Sequence, residues 1–237
     1  MGCEPNEQQE QAANIFAQDA AATMEAFMGS LGTPLGYTFP GYAFLASAVY
    51  GSIISYQVEN GLRTHPVDYL LPDKYLIESN PFECIGHAHN KNLKYYSSQP
   101  GTVTAVLNLE TDALNTVINN YTFCDSEINS ASALAYFKSQ SFSDFLNGLD
   151  RTKYSTKTLS QVLNEKAQVD TTGVVNYVIN LLNAFDNRFS NNNDYDSKIN
   201  YINAELISRL NISEAYNRKA PKLIFLTTMK HSVYYWR

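Results

Sequence analysis

The sequence predicts an all-α fold, a single bundle of about eight helices around one buried, small-residue-rich helix. Three observations predict it. Apolar residues recur at three- and four-residue spacing in segment after segment. Short Gly, Pro and Asn clusters punctuate those segments. One stretch, Tyr42 to Val58, is apolar or small on every side, as a helix enclosed by its neighbours would be. The 237 residues are enough for one large core, and no repeat of fixed period is visible. Residues 1–9 read as a flexible tether and 10–237 as one domain.

Taken in order, Glu10 to Met28 is alanine-rich, with an apolar stripe of Ile15, Phe16, Ala20 and Phe27, so it reads as a helix ending at Gly29. From Ala26 to Val58 no Asp, Glu, Lys, Arg or His occurs. Gly29 to Gly41 holds Gly32, Pro34, Gly36 and Pro40 and reads as a loop. In the helix that follows, Ala43, Ser47, Gly51 and Ser55 form a four-residue ridge that lets another helix approach closely. Two readings fit: Tyr42 to Val58 as a buried central helix, or Gly29 to Val58 as a membrane-inserting, toxin- or immunity-like segment. The segment is marginal in length for a span, and its Ser and Tyr residues dilute it.

Glu59 to Ser79 carries Pro66 and Pro72 and reads as irregular. Asn80 then offers a cap oxygen, Pro81 suits a first helical position, and Glu83 stands three residues after the cap. Phe82, Ile85, Gly86, His89, Leu93 and Tyr96 share one face, where Gly86 leaves room for another backbone. The expected partner of the Gly86 face is the Ala43–Ser55 ridge. Pro100-Gly101 stops this helix. Further helices are predicted over Thr102–Tyr121, Ser126–Gln140, Ser141–Leu149, Ser155–Gln168, Thr172–Phe189 and Ser197–Leu210. Lys222 to Trp236 fits a helix or a strand, and its helical neighbours favour helix.

Composition excludes some function classes. Charged residues make up 17%, below the roughly 25% of an average chain. The formal net charge is −6 and there is no basic run, which argues against a nucleic-acid partner. The three cysteines, Cys3, Cys84 and Cys124, form no CxxC. Cys84 and Cys124 fit either a pair in an exported protein or two buried thiols. Cys3, followed by the polar run Glu4 to Gln11, reads as a lipid attachment point on a tether, or as part of an ordinary free N-terminus.

The candidate chemistry centres on the helix that begins at Asn80. His87 and His89 form H-x-H, but on a helix they diverge by about 200° and do not share a metal, so no metal or other cofactor is expected. Cys84 near a helix N-terminus, with His87 one turn on, fits a thiolate, though no third group orients a base. His89 and Asn90 read either as a core pair satisfied by hydroxyls and carbonyls or, with His87, as a ligand-recognition site. Asp194, Asp196 and Glu205 imitate part of a calcium loop, yet Lys198 and Ile199 stand where an oxygen donor and a glycine are needed.

Three features together resemble a group of uncharacterised, predicted lipoproteins of Bacteroidetes bacteria. They are the N-terminal Cys3 with its tether and the Ala43–Ser55 segment; the pattern N-P-x-x-x-x-G-x-x-H-N, met by Asn80, Pro81, Gly86, His89 and Asn90; and the ending S-x-x-Y-W, met by Ser232, Tyr235 and Trp236. The resemblance implies a place in the cell envelope and singles out His89 and Asn90. The expectation is therefore a non-enzymatic, envelope-anchored helical protein that binds an unidentified protein or small ligand and touches the membrane only through Cys3. The alternatives are a cysteine- or histidine-dependent enzyme built on Cys84, His87 and His89, and the membrane-inserting reading of Gly29 to Val58.

Overall fold

A computed structural model describes residues 7–31, 40–58, 70–122, 128–148, 153–190 and 194–236. Among these the chain forms an all-α, single-domain bundle, with ten helices of seven or more residues and no strands. The first helices are α1 (Glu7–Leu31), α2 (Pro40–Val58) and α3 (Glu83–Ser98). They are followed by α4 (Thr102–Leu107), α5 (Thr111–Thr122), α6 (Ser130–Phe137), α7 (Gln140–Gly148) and the short α8 (Lys153–Thr156). The chain closes with α9 (Leu159–Ala167), α10 (Val174–Phe189), α11 (Tyr195–Asn211) and α12 (Tyr216–Tyr235). No described helix is long and apolar enough to cross a membrane.

Four helices close a ring: α1 packs on α2 and α12, and α3 packs on the same two. The rest wrap this ring, with α5 on α3, α6 on α5, α10 and α11 on α12, and α9 on α10. The last segment, left between helix and strand by its sequence, is a helix. Every residue from Ala220 to Trp236 is buried, which explains why it shows no polar face. In α2, Ala43, Ser47, Gly51 and Ser55 are all buried. Its serines avoid a desolvation penalty by bonding back within the helix, Ser47 Oγ to Ala43 O at 2.6 Å and Ser55 Oγ to Gly51 O at 2.8 Å.

Several boundaries differ from the sequence expectation, each for a local reason. The helix over Thr102–Tyr121 is two helices, because Leu109 takes φ 58° and Glu110 N donates to Ala105 O at 2.9 Å, a helix-ending arrangement. Gly29 and Gly41, expected in a loop, lie inside α1 and α2. Residues 32–39 of the expected loop lie outside the described residues, as do residues 1–6 of the expected tether, whose residues 7–9 belong to α1. The first turn of α3 starts at Glu83, and Asn80 still serves it: its Oδ1 accepts from Phe82 N at 3.2 Å, while Glu83 reaches back to the Asn80 amide at 3.1 Å.

The glycine notches are matched differently from expectation. α2 and α3 do pack together, with Phe44 against Phe82 and Tyr56 against Tyr96. The notch at Gly86, however, receives the His231 ring of α12, and the notch at Gly51 receives Thr23 of α1. Gly86 thus admits a side chain from α12, and Gly51 admits both the side chain and the backbone of Thr23 in α1.

At α9, Thr158 and Gln161 form a reciprocal cap, Gln161 N to Thr158 Oγ1 at 3.3 Å and Thr158 N to Gln161 Oε1 at 2.9 Å. Thr158→Ala is expected to cost about 1 kcal/mol, read as a shift in urea midpoint at unchanged slope.

Candidate functional site

Each helix of the central ring sends one polar group inward. Asp19 of α1, Ser55 of α2, His89 of α3 and Ser232 of α12 are all at most 1% exposed. Ser232 Oγ donates to Asp19 Oδ2 at 2.8 Å, and Trp236 Nε1 donates to the same oxygen at 3.1 Å. Ser55 bonds Asp19 on one side and His89 Nε2, at 3.0 Å, on the other. His89 Nδ1 lies 3.3 Å from Asn90 Oδ1, and Asn90 Nδ2 donates to His231 O at 3.1 Å.

This chain fixes proton positions. The amide hydrogens of Asn90 are committed to a carbonyl, so its Oδ1 faces His89 and the Nδ1 of His89 must carry a proton. In a neutral ring, Nε2 is then an acceptor, and the single Ser55 hydroxyl proton is shared between it and Gly51 O. Burial pushes the Asp19 carboxyl up and the His89 imidazolium down, so both are driven toward their neutral forms. The order is carboxylate, hydroxyl, imidazole. A hydrolytic triad needs the imidazole between hydroxyl and carboxylate, so Ser55 is not activated in that way.

A second cluster sits at the other edge of α3. Glu83 Oε2 accepts from His231 Nε2 at 2.8 Å, and Glu83 Oε1 accepts from Lys230 Nζ at 2.5 Å. Lys230 and His231 have no exposed side-chain surface, and Glu83 keeps 15%. A carboxylate only accepts, so neutral His231 carries its proton on Nε2. The His87 ring meets His231 edge-on, with centroids 4.9 Å apart. His87 Nε2 and His231 Nδ1 have no hydrogen-bond partner among the described residues. Despite burial, the hydrogen bond from His231 and the neighbouring charge of Lys230 hold the Glu83 carboxyl down to about 2. Burial, outweighing Glu83, pushes the His231 imidazolium down to about 4.

The structure therefore separates the residues that the sequence singled out. His89 and Asn90 point to the ring axis, where their polar atoms bond Ser55 and the α12 backbone. His87 points to the opposite cluster and is half-buried. Cys84 is disulfide-bonded, so it holds no thiolate; its partner lies outside the described residues. Among the described residues, no three His, Cys, Asp or Glu side chains are grouped to hold a metal. Of the calcium-like loop, residues 191–193 lie outside the described residues, and Asp194 is occupied as the cap of α11, accepting from Asp196 N at 3.1 Å. A cavity of about 10 Å³, lined by residues such as Val49, Ile53, Leu114 and Phe142, includes none of the cluster side chains; being apolar and at most water-sized, it stays dry.

Asp19, Glu83, Lys230 and His231 were not foreseen as a site. The signal was present: Asp19 falls between the apolar residues Phe16, Ala17, Ala20 and Ala21, and Lys230-His231 interrupts the apolar stretch Leu223 to Trp236. A charge in such a stretch demands a buried partner.

The clusters make stability depend on pH. The folded-state value of His231 lies below the free-histidine 6.5, so the unfolded chain binds the extra proton and stability falls as pH drops from about 6.5 toward 4. One such proton is worth about 1.4 kcal/mol per pH unit, or about 3 kcal/mol across that window. His87 and His89, also lowered, act in the same direction, and Glu83 continues the loss from 4.5 toward about 2. Asp19, raised, opposes it. Urea melts between pH 7 and pH 4 should show this fall, and it should be shallower in His231→Gln.

Compared with protein-family models, with curated proteins and with solved structures, the chain matches none.

Proposed function

We propose that this protein is a non-enzymatic helical protein, held at the cell envelope by a lipid on Cys3, that binds a partner protein or small ligand. The observation that carries the non-enzymatic part is the state of the polar core. Asp19, Ser55, His89 and Asn90 lie beneath the surface and bond one another across helices, which suits cross-ties and not a site that meets substrate. The disulfide at Cys84 supports an oxidising, exported setting. The resemblance to envelope lipoproteins supports the anchor.

The two cysteine claims constrain each other. Only Cys3 and Cys124 remain to pair with Cys84. The anchor requires Cys3 to be free, so the bond must join Cys84 to Cys124. Peptide mapping by mass spectrometry without reductant, on protein made in its own cell, tests this. A Cys84–Cys124 peptide with acyl mass on the Cys3 peptide is the expected result. A Cys3–Cys84 peptide, or an unmodified Cys3, contradicts the anchor.

A second reading, a histidine-dependent enzyme, is favoured by one feature alone: half-buried His87 with unpartnered Nε2, beside the Glu83–His231 pair. A panel of ester, amide and phosphoester substrates, with His87→Ala as control, separates the two. Turnover lost in the variant supports the enzyme, and no turnover in either supports the binding role.

A further inference from the structure

Residues 70–82 cross the outside of the second cluster as irregular backbone, with a short helical turn at Asp73–Tyr75 and further turns at 78–79 and 81–82. Leu71, Tyr75 and Phe82 anchor the segment in the core, and its polar ties converge on the second cluster and α11. Tyr75 O accepts from Lys230 Nζ at 3.2 Å and from Asn203 Nδ2 at 3.1 Å. Ile77 N donates to Glu83 Oε1 at 3.3 Å. Asn80 Nδ2 reaches both Glu83 Oε1, at 3.1 Å, and Thr227 Oγ1, at 2.8 Å. The Tyr75 hydroxyl bonds Asp196 of α11. Between the ties, Asp73, Lys74, Glu78 and Ser79 are exposed. Glu83 and Lys230 are thus at once the strap's fasteners and the partners of His231.

We propose that residues 70–82 form an acid-released strap: a proton taken up at His231 Nδ1 loosens the segment from Glu83 and Lys230 and uncovers the His87–His231 pair. The geometry supplies the reason. His231 Nδ1 is buried and unpartnered, so a proton can add there without breaking a bond. Once it adds, two cations, Lys230 and His231, share the single carboxylate of Glu83. The His231 ring cannot retreat, because it fills the Gly86 notch, with its Cγ only 2.5 Å from where a Cβ at position 86 would stand. The relief left is to admit water, and the strap is the element between the cluster and solvent.

The surrounding charges do not cancel this. The groups that act on His231 are Glu83 and His87 from α3 and Lys230 from α12. Around His87 stand Glu83, Lys230, Lys91 and Asp73, the last on the strap itself. Asp196 and Lys74 act on Tyr75 at the strap's outer tie. Asp19 of α1 bonds Ser232 and Trp236 instead, in the other cluster. The depressed basicity of His231 places the transition between about 4 and 6.5. The proton comes from solvent, and no other bond is made or broken covalently.

Hydrogen exchange by mass spectrometry on the whole protein tests this, at about pH 7.5 and about pH 5 with times scaled for intrinsic rates. Amides of residues 76–80 should exchange about tenfold faster, or more, at the lower pH, while α1 and α2 stay protected. His231→Gln keeps a donor toward Glu83 but does not titrate, so it should abolish the acceleration; His87→Gln should retain it. The proposal is overturned by an unaccelerated wild type, by equal acceleration in α1 and α2, or by acceleration that survives His231→Gln. Should that variant not fold, the wild-type comparison and His87→Gln decide alone.

Discussion

Gly51→Ala should destabilise the protein by about 3 kcal/mol or more, at the top of the range for overpacked cores. A Cβ at position 51 would overlap Thr23 Oγ1 and lie 2.9 Å from the Thr23 Cβ and 3.0 Å from its Cα. The hydroxyl is already committed to Asp19 O at 2.8 Å, so it cannot swing aside without leaving that bond unmade. The last of the three atoms belongs to the backbone, so relief requires α1 and α2 to separate. That separation would also stretch the link from Asp19 to Ser55. Chemical denaturation gives the number, and a silent substitution would mean that α1 and α2 are not in this register.

Glu83→Ala should cost about 3–5 kcal/mol, because it strips a buried ammonium of its counter-charge. Lys230 is fully buried and bonds Glu83 and the Tyr75 carbonyl. Loss of the carboxylate also leaves Ile77 N and the Asn80 amide short of an acceptor. Replacing both charges, as in Glu83→Gln with Lys230→Met, should recover much of the loss, since two neutral groups cost far less to bury than an unpaired ammonium. A double variant no better than Glu83→Ala would mean that the pair is not what the alanine removes.

Much of the architecture was legible because helical periodicity and capping are local. The apolar stripe Val175, Val178, Leu181, Leu182 and Phe185 marks α10, and those five residues are buried. His89 was legible as a polar residue on an apolar face needing a hydroxyl, and Ser55 supplies it. The division of Thr102–Tyr121 was not, because nothing marks Leu109 as the residue that turns left-handed; glycine is the usual signal there. Nor could sequence pair Glu83 with His231 or Asp19 with Trp236. Those partners lie 148 and 217 residues apart, and only the closure of the four-helix ring brings them together. Glu83 was read as a capping residue, which it is through Asn80, and the same carboxylate also neutralises α12.

The glycine notches teach the same lesson in packing. A residue without a side chain announces close approach but not by whom. Gly86 was expected against the Ala43–Ser55 ridge and is instead filled by an imidazole from the far end of the chain.

A double-mutant cycle between Gly86 and His231 tests this packing most directly. If the His231 ring occupies the notch, Gly86→Ala is severe in the wild type and milder once His231→Ala has removed the ring, giving a coupling energy of about 1–3 kcal/mol in denaturant melts. Strictly additive losses would show that the two residues do not touch, and the docking of α12 on α3 would be wrong.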